Sequence, residues 1–259
     1  MTDGTRLAGK VAVITGGGRG LGRAAALAFA VQGASVAVVS RTEGELVEVA
    51  DLIGRARCLP LVGDVALEET ARRVVAATVE RFGGIHILMN NAAVVGPFRR
   101  LGDVSATEWD VALGINLKGA FLLAREAIPY LKRVGGAIIN VTSSLGSSVL
   151  SPFGMYCIGK AGLNQLTRML ALELEQDGIR VNGLDPGVID TSMQEQIRAA
   201  GPQALGTHTW QRFVDFKQQG ALDPATRAAA LAVFLAAPPP SVNGEIGNAS
   251  HFASFGFKG

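Results

Sequence analysis

Ser143, Tyr156 and Lys160 are the residues whose types and spacing could do chemistry. Tyr156 lies thirteen positions beyond Ser143, and Lys160 four beyond Tyr156. On a helix, positions four apart share a face. A free tyrosine titrates near 10 and is a poor acid–base group at neutral pH, but a neighbouring ammonium favours the phenolate and lowers that value. Tyr156 would then exchange a proton with a substrate oxygen, the tuning that general acid–base catalysis needs. Ser143 would hold and polarise the same oxygen, with Ser144 as a rival one position away. A tyrosine–lysine pair on a helix is common, so the argument depends on what surrounds it.

The stretch TGGGRGLG (15–22) follows the apolar run VAVI and sets Gly16, Gly20 and Gly22 in a G-x-x-x-G-x-G pattern. Without Cβ atoms, backbone and a phosphate-bearing ligand can approach closely, and a helix N-terminus favours the anion. A tight strand-to-helix turn would use the same glycines. The second apolar run ends Val39-Ser40-Arg41, with no carboxylate where a 2′-hydroxyl would be held. Arg19 and Arg41 could instead converge on a 2′-phosphate through charge-assisted hydrogen bonds, which points to NADP(H). Asp64 could accept from an adenine amino group, or cap the helix expected to start near 66. Asn90-Asn91-Ala92-Ala93 offers amide and backbone groups beside a ribose, or forms a plain turn. Lys160 can also donate to a nicotinamide ribose.

These residues need a scaffold, and the chain supplies an alternating one. Strands are expected at 11–15, 35–40, 58–64, 85–90, 136–143, 179–185 and 245–249. Helices are expected at 20–32, 43–54, 66–82, 106–133, 154–177 and 223–237. Strict β–α alternation implies a parallel sheet covered on both faces: a single α/β, doubly wound domain over 1–259. In such sheets ligands sit beyond the carboxyl ends of the strands, where the candidate residues fall. The segment 190–222 breaks the rhythm and is expected to be an irregular insertion.

Composition narrows the class. The 24 Lys and Arg against 22 Asp and Glu leave a formal charge of +2 with no basic face, against a nucleic-acid binder. Cys58 and Cys157 form no CxxC, and His86, His208 and His251 show no ligand spacing, so no metal is expected. His86 reads as an ordinary strand residue, His208 as a residue that could face substrate, and Cys157 as packing. The polar start MTDGTRLAGK and the lack of a long apolar run point to a cytoplasmic protein without a membrane span.

Taken together, TGGGRGLG, Asp64-Val65, NNAA, Asn116 in INLKGAF, NVTSS, YCIGK and Pro186-Gly187-Val188-Ile189-Asp190-Thr191 resemble the short-chain dehydrogenase/reductase family in order and spacing, over roughly residues 8–195. The resemblance implies a Rossmann-type fold and an NADP(H)-dependent oxidoreductase acting on a small carbonyl or alcohol. It implies catalytic roles for Ser143, Tyr156 and Lys160, and a water-holding role for Asn116 in a proton relay. The implied cofactor set is Gly16, Gly18, Arg19, Gly20, Leu21, Gly22, Ser40, Arg41, Asp64, Val65, Asn91, Ala92, Ala93, Tyr156, Lys160, Pro186, Gly187, Val188 and Thr191. The residues 190–222 would form a lid, and Met193, His208, Trp210, Phe213 and Phe216 there suit a partly hydrophobic substrate; a helix packed on the core would use the same residues. Dimers or tetramers would form through helices 106–133 and 154–177, with Ala124, Ala127, Ile128, Leu131, Leu163, Leu166 and Leu170 as a possible face; burial inside one subunit would explain the same residues.

Two departures stand out: Ala93 where the family has glycine, which requires an unstrained backbone, and a C-terminal segment, GEIGNASHFASFGFKG, without the usual Asp-Gly-Gly. Two other functions compete. A 3-oxoacyl thioester on a carrier protein would need a basic docking patch, for which Arg99 and Arg100 are candidates. A non-catalytic dinucleotide sensor would have no need of the proton donor.

Overall fold

The computed structural model describes residues 5–258; the first four positions of the polar N-terminal segment, and Gly259, lie outside them. Seven strands form one sheet: β1 (Val11–Thr15), β2 (Ser35–Ser40), β3 (Cys58–Val62), β4 (Ile87–Asn90), β5 (Ala137–Val141), β6 (Arg180–Leu184) and β7 (Ile246–Gly247). Their order is β3-β2-β1-β4-β5-β6-β7, and every pairing is parallel. Alternate residues serve opposite faces, as the two-residue period of a strand demands. Ile14, Val38, Met89 and Ile139 enter one hydrophobic layer, and Val13, Val39, Leu88 and Ile138 the other. A sheet buried on both faces needs apolar residues at both sets of positions, which is why β1 reads VAVIT without a polar break until its end.

The first layer is closed by α1 (Gly20–Val31), α2 (Glu43–Ile53) and α9 (Ala225–Ala236), the second by α3 (Glu68–Phe82), α5 (Gly119–Leu131) and α6 (Gly154–Glu173). Chain direction across the sheet reverses between β1 and β4, so a crevice opens there at the carboxyl ends.

Four expectations change. The helix expected at 106–133 is α4 (Ala106–Leu113), a π turn (Gly114–Lys118) and then α5, so the wide turn interrupts an otherwise continuous rod. The segment 190–222 is helical: α7 (Ser192–Leu205) and α8 (Thr207–Gln218) pack as a pair. Gly201, at φ 75°, Pro202 and Gly206 break the pattern locally and hide the apolar stripe carried by Ile197, Leu205 and Phe213. The C-terminal strand shrinks to Ile246–Gly247, and the short α10 (Ala249–Ala253) follows, burying Phe252. The apolar face assigned to assembly lies inside the subunit: Ala124, Ala127, Leu131, Leu163 and Leu170 are buried, with Ile128 and Leu166 partly so. Trp109, Phe121, Met169 and Leu172 point outward instead; the inward stripe is the wider one because it must fill the sheet side.

Candidate functional site

A cleft of about 370 Å³ lies at the carboxyl ends of the strands. Its first wall is the turn between β1 and α1. A Cβ at Gly22 would stand 2.1 Å from the Gly16 carbonyl oxygen, and one at Gly16 would stand 2.8 Å from Asn91 Nδ2. The turn is therefore as tight as backbone permits, and a side chain at Gly16 or Gly22 would collide with the chain itself and force the loop open. This built cradle fits a dinucleotide. Asn91 pins it: its Nδ2 donates to the carbonyl oxygens of Thr15 (2.8 Å) and Gly16 (3.2 Å). Thr15 Oγ1 accepts from the backbone N–H groups of Asn91 and Ala92.

Nineteen of the sequence-derived positions line this one cleft. They are Gly16, Gly18, Arg19, Gly20, Leu21, Ser40, Arg41, Asp64, Val65, Asn91, Ala92, Ala93, Ser143, Tyr156, Lys160, Pro186, Gly187, Val188 and Thr191. Gly22 and Asn116 stand behind its wall. Asn116, buried in the π turn, has its whole carboxamide engaged by Val94: Oδ1 accepts from the Val94 N–H and Nδ2 donates to the Val94 carbonyl, both at 2.8 Å. Its side chain thus holds the loop after β4 rather than reaching into the cleft. Asp64 Oδ1 accepts from the Ala66 N–H at 2.9 Å, a turn just ahead of α3. Ala93 sits at negative φ, so the replaced glycine costs no backbone strain. His208 is exposed and outside the cleft. His86 directly precedes β4 and accepts the Val11 N–H on Nδ1 at 3.2 Å; burial and Lys10 hold its pKa below the usual histidine value. Cys157 packs in the apolar cluster beneath α7 and α8.

The reacting end is set by the β5 loop and α6. Gly146 allows that loop to lie on the helix: a Cβ there would stand 2.9 Å from the Lys160 carbonyl oxygen. Ser143 is thereby brought beside Tyr156, where it acts to lower the phenol's pKa, and its Oγ accepts from the Leu145 N–H at 3.2 Å. Lys160 is fully buried; its Nζ donates to the Val141 carbonyl at 2.6 Å and lies 5.5 Å from the centre of the Tyr156 ring.

The electrostatics differ from the sequence expectation. Burial pushes the Tyr156 phenol up to about 12, with Asp185 and Cys157 adding to the rise and the Ser143 hydrogen bond opposing it. Lys160 is itself pushed down to about 8 by burial, against the pull of Asp185. The ammonium expected to acidify the phenol is desolvated too, and lies 5.5 Å from the ring centre. Desolvation of both charged forms outweighs their mutual attraction here.

Two charged cleft residues, Glu45 and Arg212, and one carboxylate beside the reacting pair, Asp185, are absent from the sequence reading. Glu45, in the first turn of α2, faces Arg19 at 3.7 Å and touches the Gly18 position. Its signal was available, because the first turn after β2 points back at the strand's end. Asp185 directly follows β6, at the carboxyl edge of the sheet, and acts on both Tyr156 and Lys160. Arg212 reaches the cleft from α8, which was expected to be irregular. Among the described residues no group of His, Cys, Asp or Glu is placed to hold a metal ion, and no helix is long and apolar enough to cross a membrane.

Residues 10–201 match the family model described as short chain dehydrogenase. Bovine (Bos taurus) L-fucose dehydrogenase is 36% identical over 242 residues, covering 91% of this chain and 86% of that protein. A short-chain dehydrogenase/reductase from Saccharomyces cerevisiae superposes with a TM-score of 0.89 at 28% identity, over 95% of this chain and 99% of its own. The 3-ketoacyl-(acyl-carrier-protein) reductase of Brucella melitensis, solved with NADH, gives 0.82 at 30% identity, over 93% and 97%.

Proposed function

We propose that this chain, which belongs to the short-chain dehydrogenase family, is an NADP(H)-dependent oxidoreductase that interconverts a ketone and a secondary alcohol. The observation that carries the reading is the meeting of Ser143, Tyr156 and Lys160 at one end of a cleft whose other end is the glycine cradle. The family works with a nicotinamide dinucleotide, which when bound supplies or takes up the hydride. The cradle of Gly16, Gly18, Gly20, Leu21 and Gly22 would hold its phosphates, and Asp64, Val65, Asn91, Ala92 and Ala93 would line the adenosine and ribose. Pro186, Gly187, Val188 and Thr191 would flank the nicotinamide end.

The chain's own part is proton transfer and orientation. Ser143 donates a hydrogen bond to the substrate oxygen. The Tyr156 hydroxyl gives that oxygen its proton in reduction and takes one back in oxidation. With its pKa raised, the phenol is a ready store of the proton and a reluctant phenolate, which favours reduction at neutral pH. Lys160, held by Val141, keeps positive charge beside the phenol and a donor near the nicotinamide ribose. Asn116 fixes the cleft wall through Val94 and in this reading belongs to the relay behind Lys160.

Arg19, Ser40 and Arg41 support NADP(H), all three lying at the same end of the cleft. Glu45 pulls the other way, since its carboxylate would repel a 2′-phosphate and accept from a 2′-hydroxyl. The arginine pair outnumbers it, and the exposed Arg19–Glu45 contact is worth only about 0–1 kcal/mol. The helices α7 and α8 act as the substrate lid of one catalytic domain. Assembly as a dimer or tetramer would use the outward Trp109, Phe121, Met169 and Leu172. The buried, free Cys58 and Cys157 suit a reducing cytoplasm. Among the rival readings, carrier-protein docking is weakened because Arg99 pairs with Glu108 at 3.1 Å. A pure dinucleotide sensor leaves the buried phenol and ammonium without a use.

Steady-state assays of purified protein with a panel of ketones, comparing NADPH and NADH, test the proposal. Turnover with NADPH preferred is expected; equal or better use of NADH overturns the cofactor assignment, and no turnover with either overturns the reaction.

A further inference from the structure

The proton-transfer end of the cleft continues into a pocket that says something about the substrate. An aromatic row leads away from α6. Phe98 meets Phe153 edge-on at 5.2 Å, Phe153 lies 5.6 Å from Phe213, and Phe213 meets Phe216 edge-on at 6.0 Å. Phe153, Phe213 and Phe216 line the cleft, with Leu145, Leu150 and Met193 around them. At the far end the Arg212 guanidinium rests over the Phe216 ring, 5.4 Å from its centre.

Arg212 is singular in this setting. Among the described residues its side chain makes no hydrogen bond and no ion pair, while nine other Lys and Arg side chains, and His251, do pair with carboxylates. The nearby carboxylate on its own helix, Asp215, is engaged by Gln211 Nε2 at 2.8 Å. Among the described residues no carboxylate lines this apolar end, and the other cation lining it is Lys160, buried and bound to Val141. A guanidinium stacked on a ring keeps its planar fork of N–H donors free at the edge, the geometry that suits a carboxylate.

We propose that Arg212 receives a carboxylate carried by the substrate, so that the preferred substrate is an oxo acid or hydroxy acid. Its apolar, preferably aromatic body lies along Phe153, Phe213 and Phe216, and its carbonyl or carbinol carbon sits at Tyr156. A carboxylate fits better than a phosphate because Arg212 stands alone, and a dianion calls for more than one cation. The inference rests on the oxidoreductase reading for its reaction, but the anion site itself is read separately.

Three ketones of increasing length, 3-benzoylpropionate, 4-benzoylbutyrate and 5-benzoylpentanoate, are compared with their methyl esters using NADPH. At one length or more the acid should exceed its ester in kcat/KM by about fivefold, mainly through KM, as expected for a half-exposed charge pair. The advantage should shrink as salt is raised, fall towards one in Arg212→Gln and be partly kept in Arg212→Lys. Equal values for acid and ester at every length overturn the proposal, as does an advantage that persists in Arg212→Gln. If none of the ketones turns over, the oxidoreductase reading has failed on its own. Calorimetric binding of each acid and ester in the presence of NADP+ then decides the carboxylate site by the same ratios.

Discussion

The two ends of the cleft carry the same kinds of charge in opposite surroundings. At the glycine end Arg19 is 58% exposed, and its contact with Glu45 is long at 3.7 Å. At the other end Lys160 is fully buried, with a 2.6 Å hydrogen bond to Val141, beside a phenol whose pKa burial has raised to about 12. Water screens the first set, so its members act as adjustable selectors. The second set is desolvated, so burial sets both the pKa and the place of each member. The difference teaches where substitutions should matter: strongly for the reaction at the buried end, weakly and selectively for the cofactor at the exposed end.

Lys160→Met should break the comparison most severely. It leaves the Val141 carbonyl without its donor and removes the charge beside the phenol, and turnover should fall about a thousandfold. Single-turnover kinetics would check this; a loss below about tenfold would place Lys160 on the level of the exposed arginines. The pH response is the next largest effect. Alcohol oxidation needs the phenolate and should rise with pH across the neutral and alkaline range. Ketone reduction needs the phenol, which persists to about pH 12, and should fall only as Lys160 loses its charge near pH 8. Rate profiles in both directions read the signs, and parallel profiles would contradict them.

Arg41→Asp should raise the KM for NADPH about tenfold relative to that for NADH; equal effects on both would remove the 2′-phosphate from this end. Glu45→Gln should give the smallest change, a shift of about threefold towards NADPH that salt diminishes. A shift towards NADH instead would mean that Glu45 orders Arg19 rather than opposing the phosphate.

The sheet was legible because a strand covered on both faces must be apolar throughout, and four such runs end at or just before a residue that lines the cleft: Ser40, Asp64, Asn91 and Ser143. The turn TGGGRGLG was legible because close backbone approach at Gly16 and Gly22 leaves no room for a Cβ there. Helices α7 and α8 were not, since Gly201, Pro202 and Gly206 cut their stripe into pieces shorter than a recognisable period. The pKa values were not legible either. Spacing places Lys160 beside Tyr156, but only depth of burial decides whether solvation or attraction wins, and depth comes from Gly146, Phe153 and the lid above. Arg212 escaped because it reaches the cleft from a helix whose placement, not its sequence, brings it there, whereas Glu45 is legible from its place in the first turn after β2.

The central claim is that the Tyr156 hydroxyl carries the proton. It is tested most directly by Tyr156→Phe, measuring NADPH binding by fluorescence and ketone turnover on the same preparation. The account predicts binding within about threefold of the unmodified protein and turnover lowered at least a hundredfold. Turnover retained at full rate would contradict it.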